Sequence, residues 1–303
     1  MLQLIMTAGL ASMLAACGSV ADSAASTSAN TDWPEAITLV QMPNENNPQV
    51  ASLHTALREH LEDKLDIKVN EHDGASYAIG IEALASGNLD IMLGSPMSYY
   101  QAKRMAGAEL LVTPKSELTE YYTVFITQGD NDKVNDMEDL RGTNFAFVNA
   151  ASSSGYLYPK GTLVQEFALD PDRVEQSGYF FENVTFSESH QNSVIGVAMG
   201  DFETAAAAGS IIDRLIEAGT IKEGDVKVIG RTQDIPDASY FIRGDLPDGF
   251  KDAVREAFVS FEDEAYFEAL HGDPQARFIA TEQDYYDSSF ELLAAINALE
   301  EEQ

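Results

Sequence analysis

The apolar positions of this chain recur with two spacings, and the spacing switches back and forth along its length. Short crowded runs, "AITLVQM" (36–42), "DIKVNEH" (66–72) and "LDIMLG" (89–94), read as strands. Between them, apolar residues return every three or four positions in "NPQVASLHTALREHLEDKL" (47–65), "SYAIGIEALASG" (76–87) and "SPMSYYQAKRMAG" (95–107), which read as helices. Gly87 closes one of them, and serine followed by proline opens another. A β-rich run, "YYTVFITQGDN" (121–131), precedes a second round: a β-prone stretch ending at Asn149, helix 154–168, strand 179–186, helix 188–200, strand 203–208, helix 210–218 and strand 225–230. From about Leu246 to Gln303 the pattern is mostly helical with acidic faces. Alternation of this kind predicts an α/β fold. Two such sections, with a β-rich crossing at 121–128 and a return near 229–242, predict two lobes joined by two hinge strands.

Composition narrows the class. The chain is 303 residues long, 45% hydrophobic and 22% charged, enough to bury a sizeable core. Acidic residues outnumber basic ones 50 to 18, a net charge of −32 that repels nucleic acid and anionic lipid and excludes both as partners. Mutual repulsion among so many carboxylates falls as salt screens it, which points to a saline medium. The one cysteine, Cys17, rules out an intramolecular disulfide and a cysteine metal site. It follows an uncharged apolar run, "MLQLIMTAGLASMLAA", too short to span a bilayer, and precedes "GSVADSAASTSAN". Residues 1–17 therefore resemble a lipoprotein signal whose lipobox, Leu14 to Cys17, makes Cys17 the lipidated first residue, although the usual preceding Lys or Arg is absent. Residues 18–33 read as a flexible tether.

The chemistry concentrates in "FAFVNAASSSGYLYPK" (145–160), where a strand gives way to three serines, a glycine and a helix. Helix starts leave backbone N–H groups without partners and carry positive partial charge, so they seat anions. Ser152, Ser153 and Ser154 add hydroxyl donors there, and Gly155 allows close backbone approach. A plain serine cap is the simpler reading of the same residues. Farther on, "VTFSESHQNSVIGVAMGDFETAAAAGS" places Ser187, Ser189 and His190 at another helix start after a strand, and Glu203 where the next strand begins. In an open α/β sheet both loops lie on the rim where strands end.

Taken together, "SYAIGIEALASGNLDIMLGSPMSYYQA", "YYTVFITQ", "MEDLRGTNFAFVNAASSSGYLYP", "FSESHQNSVIGVAMGDFETAA" and "IPDASYFIRGDLP" resemble the phosphate, phosphite and phosphonate binding proteins of ABC transporters, over residues 36–290. The resemblance implies the two-lobed type-2 periplasmic binding protein fold, with lobe 1 at 34–123 and 233–303 and lobe 2 at 124–232. It implies an extracytoplasmic, lipid-anchored monomer that is not an enzyme, needs no cofactor, binds a small phosphorus oxyanion and delivers it to an ABC permease. By motif, Ser152, Ser153 and Ser154 would grip the anion, His190 would add a donor, and Tyr77 and Tyr99 would close from lobe 1. Glu203 falls where the family has an aspartate, and its carboxylate would accept a P–OH hydrogen. Ser76 stands in place of the family's aspartate before the first tyrosine.

Two rivals remain open on the sequence. "A-S-S-S-G" (151–155) nearly fits a nucleophile elbow, which would make the protein a serine hydrolase with Ser153, Asp245 and His271 as its triad. An oxyanion-binding partner of a membrane sensor kinase would carry the same motifs as a transport receptor. A metal site is not expected, because His54 and His60, six residues apart, lie about 240° apart around a helix and His72 falls beyond it. "GDND" (129–132) lacks the later ligands of a calcium loop and reads as a turn.

Overall fold

A computed structural model describes residues 32–41, 51–72, 76–116, 118 and 120–297. The lipobox at Cys17 and nearly all of the tether lie outside the described residues. Two sheets organise the rest. In the first, β1 (Ala36–Val40), β2 (Lys68–His72) and β3 (Ile91–Gly94) run parallel, with α1 (Ala51–Leu65) and α2 (Tyr77–Ala85) between them. After α3 (Pro96–Ala106), β4 (Glu109–Lys115) joins the same sheet. The chain then crosses to the second sheet. There β5 (Thr123–Gln128) pairs antiparallel with β8 (Thr204–Ala208), while β6 (Asn144–Phe147), β7 (Asn183–Phe186) and β8 run parallel. The helices of this half are α4 (Tyr158–Phe167), α5 (His190–Met199) and α6 (Ser210–Glu217). After β9 (Val226–Arg231) the chain returns, and β10 (Ser239–Ile242) inserts between β3 and β4. Then come α7 (Asp248–Val259), α8 (Glu264–His271), β11 (Arg277–Ala280) against β4, and α9 (Asp287–Ala295).

Local signals account for most of these boundaries. Ser76, Ser95 and Ser189 cap α2, α3 and α5, each accepting a backbone N–H from three residues on. The pattern assigned no strand to 109–115, where Pro114 interrupts the run, yet β4 is an interior strand. Pro114 lies opposite Phe278 of β11, and tertiary pairing overrides its poor strand propensity. The reading of the tail as mostly helical likewise missed β11, a four-residue strand stabilised only by pairing with β4. The strand expected at 179–186 is confined to Asn183–Phe186, after a series of turns.

The end of the chain departs from the expected lobe 1 assignment of 233–303. Leu292, Leu293 and Ile296 are buried in one cluster with Phe145, Phe147, Leu157 and Leu163 of the second half. Tyr158 Oη and Ser289 Oγ are 2.8 Å apart in the same contact. Helix α9 therefore completes the core of the second half, and the segment between β11 and α9 is a third crossing between the sheets. Gly161 makes the docking possible, because a Cβ there would overlap Leu292 and lie 2.8 Å from its Cγ.

This contact is testable by urea denaturation. Gly161→Ala should cost about 1–3 kcal/mol through overpacking. Combining it with Leu292→Ala should cost less than the sum of the two single changes, because the smaller side chain makes room. Strict additivity would show that α9 does not dock at Gly161.

Candidate functional site

The carboxyl ends of parallel strands from both sheets open onto one cavity of about 420 Å3. From the first sheet, Gln41 after β1, Leu93 on β3 and Tyr77 at the start of α2 line it. From the second half, His190 at the start of α5, Ala208 at the end of β8 and Ser210 at the start of α6 face them. Tyr121 stands on the first crossing, and Asp237 and Ala238 on the second.

The serine turn divides its labour. Ser152 caps the turn by accepting from the Gly155 N–H at 3.0 Å. The turn is a π-helical one, with the Leu157 N–H reaching the Ser152 carbonyl at 3.1 Å, a widened form frequent at functional sites. Gly155 is obligatory, since any Cβ would overlap the Val148 side chain. Ser153 turns toward the other sheet, where its Oγ accepts from the Met97 N–H at 2.9 Å and its own N–H donates to Ser95 Oγ at 3.2 Å. The hydroxyls of Ser95 and Ser98 both reach the Ala151 carbonyl. Only Ser154 meets cavity-lining side chains, with its Oγ 3.0 Å from His190 Nε2 and 2.6 Å from Tyr121 Oη.

The backbone fixes the tautomer of His190. Its Nδ1 lies 3.0 Å from the Ala208 N–H and accepts from it, so the ring proton sits on Nε2 and is donated to Ser154. Burial, with a smaller contribution from the Arg214 cation, holds the imidazole pKa down at about 4. A second clamp joins the two loops. Asn149 Nδ2 donates to Glu188 Oε2 at 2.7 Å, the Asn149 Oδ1 accepts from Ala151 N–H at 2.9 Å, and the Glu188 N–H donates to the Val148 carbonyl at 2.9 Å. Glu188 adopts a φ of 67°, a conformation strained for a non-glycine residue, and these bonds hold it there.

Several candidate residues stand elsewhere than expected, and Ser152, Ser153 and Ser154, expected to grip an anion, are buried and are not themselves among the residues lining the cavity. Glu203 is at the wrong end of its sheet: it precedes β8, its carboxylate accepts from the Asn144 N–H at the beginning of β6, and both strands run from there toward the cavity. From there it cannot reach a P–OH group held in the cavity. Tyr99 is buried on α3 between Phe241 and Tyr286 and does not line the cavity. Burial, with Glu109 and Glu282 nearby, pushes its phenol up to about 12. Ser153 has no hydrogen bond to His271, and Asp245 pairs with Arg243 at 2.6 Å, so the triad proposed for a hydrolase is not assembled. The serine that does touch a histidine, Ser154, meets a nitrogen that already carries a proton and cannot take another.

The sequence reading missed Arg214, one turn into α6 and the sole Lys or Arg among the described lining residues. It also missed Tyr121, Tyr240 and Tyr266. For Arg214 a signal was present, because α6 follows β8 and so begins at the same rim as the serine turn.

Comparison with known proteins agrees with this fold. The family model described as "ABC transporter, phosphonate, periplasmic substrate-binding protein" matches residues 39–286. The phosphate-import protein PhnD of Mycolicibacterium smegmatis is 25% identical over 272 residues, covering 86% of this chain and 84% of its own length. The phosphonates-binding periplasmic protein of Escherichia coli is 23% identical over 230 residues, covering 73% of this chain and 65% of its own. PhnD1 from Prochlorococcus marinus, solved with methylphosphonate, superposes with a TM-score of 0.73 at 18% identity, covering 88% of this chain and 100% of that one. A binding protein component of an ABC phosphonate transporter from Pseudomonas aeruginosa gives 0.73 at 20% identity, covering 88% and 87%. Both structures share the two-lobed fold.

The histidines give a pH test. His190 and His271 are both held down at about 4 from an ordinary 6.5, chiefly by burial, and His54 is lowered for the same reason. The unfolded chain therefore binds more protons between those values, and stability should fall as pH drops from 6.5 toward 4. His190→Gln should flatten part of that slope, and NMR titration of the wild type should find the His190 ring neutral at pH 6. A ring that titrates near 6.5 would contradict the buried, Nδ1-accepting geometry.

Proposed function

Since this chain belongs to the family of periplasmic substrate-binding proteins of ABC phosphonate transporters, we propose that its cleft closes on a small phosphorus oxyanion, a phosphonate, phosphite or phosphate, and presents it to the membrane permease. What carries this reading is the donor set around Ser154. The Ala208 amide fixes the His190 tautomer, His190 Nε2–H supports the Ser154 hydroxyl, and the Tyr121 phenol completes a group of neutral donors at the start of α5 and beside the start of α6. Neutral dipoles at helix starts stabilise an anion without a counter-charge that must itself be desolvated. Arg214 adds positive charge at the mouth. Tyr77 and Tyr121 would approach the anion as the sheets close, and Ser152 and Ser153 shape the turn rather than face the ligand. The family is extracytoplasmic; lipid attachment at Cys17 and a monomeric state are part of this proposal.

In this reading Ser154 binds rather than attacks, because the His190 nitrogen that meets it already carries its proton. A serine that receives a hydrogen bond from His190 Nε2 is a binding group, and release of intact ligand would follow reopening of the cleft.

Calorimetry against phosphate, phosphite, methylphosphonate and aminoethylphosphonate tests the proposal directly. Ser154→Ala should weaken binding by about 1.5–3 kcal/mol, the range for hydrogen bonds to charged groups, with little change in melting temperature. Ser153→Ala should lower stability as well, because it leaves the Met97 N–H without its partner. Equal binding by wild type and Ser154→Ala would remove the serine turn from the site.

Closure has its own observable. Bringing the two sheets together around a ligand is a hinge motion. Saturating ligand should shrink the radius of gyration measured by small-angle scattering. Binding with an unchanged radius would sink the closing mechanism.

A further inference from the structure

Two charged side chains that line the cavity have no ion-pair partner among the described residues, and they stand on opposite sides of it. Arg214 is on α6 in the second half, Glu268 on α8 in the first, and both are exposed. Among the described residues the Arg214 guanidinium makes one hydrogen bond, Nη2 to Ser210 Oγ at 3.4 Å on its own helix. The Glu268 carboxylate makes none there.

The other charged lining residues are engaged. Glu120 pairs with Arg231 at 3.5 Å, and Asp237 pairs with Lys115 at 3.6 Å and accepts from Tyr285 at 3.3 Å. The lining histidines, His54, His190 and His271, are held below their ordinary 6.5 by burial and carry no charge at neutral pH. Among the described lining residues, Glu268 is therefore the carboxylate open to Arg214, and Arg214 the cation open to Glu268.

The backbone favours the same meeting. The carboxyl end of α8, Ala269 to His271, and the Gly272 cap line the cavity beside Glu268. Carbonyls at a helix end carry negative partial charge, so a guanidinium that reaches Glu268 is attracted by the helix as well. Arginine suits such a contact, because its planar fork can hold a carboxylate through two parallel hydrogen bonds and is weakly hydrated.

We infer that Arg214 and Glu268 form a latch: as the halves close over a bound oxyanion, the guanidinium pairs with the carboxylate across the mouth of the cleft and holds the closed form. This rests on the oxyanion-binding, closing reading above and adds what keeps the cleft shut. A contact made only in the closed form raises ligand affinity without touching the ligand. It also reverses the sign of what Glu268 does. A lone carboxylate facing an anion site weakens binding by repulsion, whereas one that latches Arg214 strengthens it.

The test is a double-mutant cycle on the full chain, with binding of phosphate, phosphite and methylphosphonate followed by calorimetry and release by stopped flow. Glu268→Gln should weaken binding about two- to fivefold, the effect of an exposed ion pair, through faster release. In an Arg214→Gln background the same change should weaken it no further. The loss should also shrink as salt rises. Both side chains are exposed, so melting temperatures should hardly move. Tighter binding by Glu268→Gln, or the same loss in both backgrounds, would overturn the latch and leave the oxyanion-binding proposal standing. Unchanged binding by Glu268→Gln beside a loss in Arg214→Gln would assign Arg214 to the ligand and likewise overturn the latch. Failure of the wild type to bind any of the three anions would overturn both readings.

Discussion

Two helix starts, one from each half of the molecule, satisfy each other's backbone at the floor of the cleft. Ser95 caps α3 and also accepts the Ser153 N–H, while Ser153 Oγ accepts the Met97 N–H at the first turn of α3. Backbone donors at helix starts must find partners when buried, and here each lobe supplies the partner for the other. This exchange commits Ser153 to structure and leaves Ser154 as the hydroxyl that meets His190 and Tyr121. The position of the proposed anion seat follows from that allocation.

The electrostatics of the seat follow from it as well. A protein of charge −32 that binds an anion cannot rely on its overall field, which is repulsive at long range. The proposed seat would rely on dipoles at short range, where salt screens little. The Ala208 amide determines which nitrogen of His190 bears the proton, and burial keeps the ring neutral. The result is a donor that stays the same across the physiological pH range. Arg214 sits at the entrance, where solvent tempers its charge.

Three segments, rather than two, connect the sheets, and their first-sheet ends are tied together. Thr113 on β4, Ser239 on β10 and Thr281 after β11 form a chain of hydroxyls at 2.5 and 2.8 Å that continues through Tyr286 to the Asp237 carbonyl. One buried network thus spans all three crossings on the side of the cleft that carries Asp237. Independent sliding of any of these crossings would break buried hydrogen bonds.

How much of this was legible in the chain varies with the range of the interaction. The switching of apolar period gave the α/β class and most elements, and serine caps and Gly-containing turns were visible because capping acts within three or four residues. The placement of the serine turn and of His190 was legible for the same reason, since each sits at a helix start after a strand. Glu203 was misplaced although its position held the answer: a residue before a parallel strand stands at the opposite end from that strand's carboxyl rim. Tyr77 and Tyr99 are alike as aromatic residues near helix starts and are both buried in one cluster with Phe241 and Tyr286, and of the two Tyr77 alone also lines the cavity. The docking of α9, the strand at 109–115 and the meeting of Gln41 with Tyr240 on the cavity wall depend on partners up to about two hundred residues apart in sequence. By itself the sequence determined the elements and the chemistry at their ends, because those are local; the tertiary structure alone decided which serine meets His190 and Tyr121, which carboxylate stands at the far end of its sheet, and how large the cleft is, because those depend on strand direction, register and long-range packing.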